Sequence, residues 1–127
     1  MIKLLEKYSK VSWLFTIAIA VFIFYLSSLT FEPGPYTTSM NTIIYHFAIF
    51  FVLTFFFLPA LVKGKSKKLF LIGIILAIIY AVSDEFHQLF VMGRHGSLTD
   101  IMYDSTGILL ASFIYVLSLR FRKSKNS

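Results

Sequence analysis

The sequence predicts an all-α, polytopic membrane protein built as a four-transmembrane-helix bundle, and three observations carry that prediction. The 127 residues are 57% hydrophobic and only 14% charged, with a mean hydropathy of +0.79, which a soluble domain of this size does not show. The apolar residues fall into four runs, each near the roughly 20 residues that a helix needs to cross a bilayer. The Lys and Arg residues, all but Arg94, sit in short clusters beside those runs, the pattern that orients membrane helices. A chain this short holds four such helices and little else, so residues 1–127 are read as one domain.

The first helix is expected from about Val11 to Leu29. It follows Lys3, Lys7 and Lys10 as a signal peptide would, but it is too long and lacks a small-residue cleavage site, so it is read as retained. Glu32-Pro33-Gly34-Pro35 breaks the chain, because proline cannot continue a helix. The second helix runs from about Asn41 to Val62 and the third from about Leu69 to Phe90. Gly93 and Gly96 mark a turn before the fourth, at about Asp100 to Leu119. Trp13, Tyr45 and the many Phe residues suit lipid contact and interfacial anchoring.

Orientation follows from the charge. Lys3, Lys7 and Lys10 precede the first helix; Lys63, Lys65, Lys67 and Lys68 lie between the second and third; Arg120, Arg122, Lys123 and Lys125 follow the fourth. The remaining two loops hold only Arg94. The positive-inside rule therefore predicts cytoplasmic termini and a cytoplasmic central loop; the membrane expected is the plasma membrane of a prokaryote. The same distribution turns the net charge of +6 away from nucleic acid as a partner and toward the lipid bilayer. Without cysteine there is no disulfide, thiolate nucleophile or Cys-based metal site.

Against this background the segment Ser83 to Asp100 is anomalous. A charged residue at the centre of a spanning helix costs roughly 2.5 to 3.5 kcal/mol on insertion scales, so a cluster of them demands a reason. At 1.5 Å per residue, Asp84 and Glu85 lie far along the third helix from its basic end. His46, near the start of the second helix, and Asp100 and Asp104, in the first turns of the fourth, share that depth. Ala77, Ala81, Asp84 and Gln88 form one stripe, and Asp100, Asp104, Gly107 and Ala111 another. The two stripes are expected to face each other, with small residues meeting in the inner half and acids converging in the outer half.

The candidate polar pocket is therefore His46, Asp84, Glu85, Gln88, Arg94, Ser97, Asp100 and Asp104, opening outward. Arg94 and His95 are the candidates for anion binding, on a glycine-flanked turn beside a helix start. The competing structural reading is an ion-pair network of Asp84, Glu85 and Arg94 locking two helices together. Ser97 and Asp100 fit a helix-capping pattern. His46, Asp84, Glu85, His87, Asp100 and Asp104 are chemically suitable ligands for a divalent metal, but no established metal spacing such as His-Glu-x-x-His is present, so no metal or other cofactor is assigned.

Asp84-Glu85-x-x-Gln88, then Gly93-Arg94-x-Gly96-Ser97-x-x-Asp100, then Asp104-x-x-Gly107 resembles the signature of the VanZ-like family of small integral membrane proteins. Ser27-Ser28-Leu29 and His46-Phe47 fall in the same order and spacing, so the resemblance spans nearly the whole chain. Ile43 stands where that family often has Lys, and Asp104 where it often has Asn, which leaves this pocket more acidic. The resemblance implies a place near cell-envelope precursors and a link to teicoplanin resistance, without an established reaction. Three functions follow: recognition or processing of a lipid-linked or glycan envelope molecule; a proton-coupled or lipid transporter; a non-catalytic membrane assembly protein. Whether the chain is an enzyme is open, and no oligomeric state is implied.

Overall fold

The computed structural model describes residues 1–32, 34–35 and 37–125; Pro33 of the expected break lies outside them. All regular structure among the described residues is helical: α1 (Ile2–Lys7), α2 (Ser9–Ser27), α3 (Met40–Val62), α4 (Lys67–Gln88) and α5 (Leu98–Lys125). The last four are long and apolar enough to cross a membrane, where helices satisfy their own backbone groups. Their outward faces carry large apolar side chains such as Leu14, Phe22, Ile75 and Phe113. The chain is a multi-pass membrane protein.

Boundaries shift for local reasons. Ser39 and Ser66 begin α3 and α4 by accepting the Thr42 and Leu69 N–H groups at 3.2 and 3.3 Å, as N-caps do. The third spanning helix therefore starts at Lys67, two residues before its apolar run, and ends at Gln88 rather than Phe90. The last helix continues through its basic tail to Lys125. Pro59 lies inside α3, one turn before the left-handed Lys63 that ends the helix. A short helix not expected from the sequence, α1, meets α2 at a bend at Tyr8, where the Leu5 carbonyl accepts the Ser12 hydroxyl at 2.8 Å.

α3 is the axis of the bundle, touching every other helix and most extensively α5. For Gly107 this departs from the expectation that the small residues of the third and fourth spans meet each other. Gly107 packs instead on α3, where a Cβ would overlap the Phe47 carbonyl. Close approach of this kind is what small residues permit between membrane helices. Ile23, Phe50, Leu53, Ala77, Ala81 and Ile108 form a buried apolar layer across the middle of the bundle.

One end is closed by a polar latch. Arg122 donates to both Glu6 oxygens at 2.6 and 3.1 Å; the Tyr115 hydroxyl donates to Glu6 at 2.8 Å and accepts the Gly64 N–H at 2.9 Å. The N-terminal helix, the α3–α4 loop and the end of α5 therefore meet at the same end. Burial pushes the Glu6 carboxyl up, but the hydrogen bonds from Arg122 and Tyr115 and the Arg122 charge outweigh it, holding it below the ordinary carboxylate range. A carboxylate with a depressed folded pKa contributes stability above its unfolded value and loses it as pH falls through the folded one. Glu6→Gln is expected to lower Tm by about 3 to 8 °C at pH 7. The deficit should shrink as pH drops from about 5 to 3, as thermal unfolding of both proteins in detergent at several pH values will show.

Candidate functional site

At the opposite end, three helix termini bring the ionisable groups together. His46 comes from the second turn of α3, Asp84, Glu85 and Gln88 from the last turns of α4, and Asp100 and Asp104 from the first turns of α5. All six are at most 6% exposed. The helical spacing explains this, since the stripes identified in the sequence point inward on both α4 and α5.

His46 is the hub. Its Nδ1 donates to Asp104 Oδ1 at 2.9 Å and lies 3.7 Å from Glu85 Oε1. Its Nε2 lies 3.8 Å from Asp100 Oδ2. Asp84 is turned aside and accepts from Gln88 Nε2 at 3.3 Å. The remaining oxygens are the unusual feature: Glu85 Oε1 and Asp104 Oδ2 are buried and accept no hydrogen bond from any described group. Buried oxygens are nearly always paired, so these two require an explanation.

Ser97 departs in part from the capping pattern. Its hydroxyl accepts the Thr99 N–H at 3.2 Å and so caps α5, but its own N–H donates to Glu85 Oε2 at 2.9 Å instead of to Asp100. The reciprocal acceptor of the capping box is thus supplied by α4. Asp100 is left facing His46.

Arg94 also departs from expectation. It forms no ion pair with Asp84 or Glu85; Nε donates to the Leu29 carbonyl at 3.1 Å, Nη2 donates to the Leu26 carbonyl, and the guanidinium stands over the Phe31 ring at 4.6 Å. The carbonyls at a helix C-terminus lack intrahelical partners and carry the negative end of the helix dipole. A guanidinium on the neighbouring turn satisfies both needs at once. In place of the competing Asp84–Glu85–Arg94 lock there is a strap from the α4–α5 turn to the end of α2.

The other two histidines take part in the same strapping. His95 Nε2 donates to the Gly34 carbonyl at 2.9 Å. His87 faces α2, 3.0 Å from the Ser28 hydroxyl and stacked on Phe24 at 4.7 Å, which removes it from the candidate metal ligands. Gly93, at φ 75°, lets the turn pass directly against the Phe31 backbone.

Above the cluster opens a cleft of about 210 Å³, with His46, Gln88 and Asp100 on its floor and Glu32, Arg94 and His95 around it. Thr42 and the loop residues Gly34, Pro35 and Thr37 also line it. These were missed in the sequence, where a loop gives no sign of which helix ends it will cover.

The VanZ/LLP1 family model matches residues 12–119. The chain belongs to the VanZ-like family. No curated protein and no solved structure matches it. The match takes in most of all four spans and every residue of the candidate site, so in this VanZ-like protein the polar cluster and its strap are part of the family domain.

Proposed function

We propose that this VanZ-like protein recognises the polar headgroup of an amphipathic cell-envelope molecule, a lipid-linked phosphate or glycan, in an outward-facing cleft. The observation that carries the reading is the cleft floored by buried His46 and Asp100, since a convergent polar pocket in a membrane bundle marks a functional site. Headgroup hydroxyls would donate to the acidic floor, while Arg94 and His95 at the rim would face an anionic group. The acyl portion would remain in lipid.

The outward orientation is supported by the latch end, where the three basic clusters gather, which the positive-inside rule assigns to the cytoplasm. The link to teicoplanin resistance rests on the family alone. A transmembrane proton relay is disfavoured by the apolar layer of Phe50, Leu53, Ala77, Ala81 and Ile108, which separates the site from the latch.

Native mass spectrometry of the protein in gentle detergent, together with a topology reporter in the α4–α5 turn, tests the reading. The wild type should retain an envelope lipid and the reporter should read outside. Asp100→Asn should lose most of the lipid, whereas Lys65→Ala and Lys123→Ala should keep it. A cytoplasmic reporter, or equal retention by all folded variants, would overturn it.

A further inference from the structure

We propose that His46, Glu85 and Asp104 bind one divalent transition-metal ion just beneath the floor of the cleft, which His46 lines. The three residues come from α3, α4 and α5, and one donor atom from each lies within 4.8 Å of the other two. Ligands about 2.0 to 2.2 Å from a common ion stand about 2.9 to 3.5 Å apart. The His46 Nδ1 separations of 2.9 Å to Asp104 and 3.7 Å to Glu85 lie close to that range, so small side-chain movements complete the set.

The second, independent observation is the pair of oxygens without partners. Glu85 is 3% and Asp104 0% exposed, and each keeps one buried oxygen that accepts nothing from a described group. A lock made only of the His46–Asp104 hydrogen bond leaves both atoms unexplained. An ion among the three side chains engages carboxylates that otherwise crowd one imidazole, and it takes the place of the Nδ1 proton.

Neighbouring groups fit the same role. A metal-bound imidazole commonly directs its other ring nitrogen to a carboxylate, and His46 Nε2 already faces Asp100 Oδ2 at 3.8 Å. Ser97 N–H fixes the second Glu85 oxygen at 2.9 Å, orienting the first inward. One imidazole with two carboxylates favours an ion of the Mn²⁺ or Zn²⁺ kind over Ca²⁺, which prefers oxygen alone, or Cu⁺, which prefers sulfur. The ion would turn an acidic floor into one that attracts phosphate. That last consequence rests on the proposed headgroup reading, whereas the binding of the ion does not.

The test is titration of chelator-treated, detergent-purified protein with MnCl2 and with ZnCl2, reading bound metal per chain by elemental mass spectrometry and Tm by thermal unfolding. Wild type is expected to take up one ion per chain and to gain roughly 5 to 10 °C at 100 times Kd. Glu85→Gln and Asp104→Asn preserve side-chain size and should each weaken binding at least tenfold, while His87→Ala should bind as wild type does. Unfolding in chelator identifies a variant that has failed to fold, in which case the other decides. Failure of wild type to take up a stoichiometric ion, or undiminished affinity in a folded carboxamide variant, overturns the proposal. A bound ion without retained lipid sinks the headgroup reading alone, and retained lipid without an ion sinks the metal site alone.

Discussion

Gly107→Ala is expected to cost this protein about 3 kcal/mol or more, an unusual loss for one methyl group. The added Cβ would coincide with the Phe47 carbonyl oxygen and press on the Phe51 N–H. Backbone cannot swing away as a flexible side chain would. α3 and α5 must separate, and they form the most extensive helix pair in the bundle. Because His46 and Asp104 sit on those two helices, about one turn nearer the cleft, the same change should pull the 2.9 Å hydrogen bond apart. Size-exclusion profiles and thermal unfolding in detergent will measure the effect, with Gly34→Ala as control, since a Cβ there finds only the Glu32 carbonyl at 4.0 Å. An unchanged Tm for Gly107→Ala would mean that the crossing is looser than the geometry implies.

Gly107 also shows where the sequence is legible and where it is not. Helical periodicity places it on the buried stripe with Asp100, Asp104 and Ala111, and all four are buried. Periodicity gives the inward face but not the partner, so the stripe of α5 was paired with α4 when its close contact is with α3. The same distinction runs through the site. His46, Asp84, Glu85, Asp100 and Asp104 were identified because a charged group in an apolar run is expensive, and that cost is visible in the sequence alone.

Arg94 was found by type and placed with the wrong partners, while Ser97, which caps α5, gives its own N–H to Glu85, because backbone carbonyls and N–H groups carry no signal in the sequence. The Leu26 and Leu29 carbonyls at the end of α2 compete with the acids for the guanidinium. The Glu6 latch was missed for a related reason. Glu6 reads as one acid among basic residues, although Tyr115 and Arg122, seven apart on one helix face, were a usable sign that a polar partner is needed there.

Arg94→Ala is expected to lower stability by about 2 to 4 kcal/mol and to abolish lipid retention. The variant loses two charge-assisted hydrogen bonds, to Leu26 and Leu29, and the contact over Phe31. Without them the end of α2 is held to the α4–α5 turn only by the Phe31–Met92, Ser28–His87 and Gly34–His95 contacts, and Phe31, Glu32 and Gly34, which line the cleft, lose part of their anchoring. Arg94→Lys discriminates between two roles. If Arg94 served only as a positive charge for an anionic headgroup, lysine would restore most of the function. A strap needs the planar guanidinium, which donates along two directions and stacks on an aromatic ring at once, and an ammonium reproduces neither. Lysine should therefore recover less than half of the lost stability and little of the lipid retention, measured as Tm and as the lipid-bound fraction in native mass spectra. Full recovery of both by lysine would show that charge alone matters, and that the strap to α2 is incidental to the site.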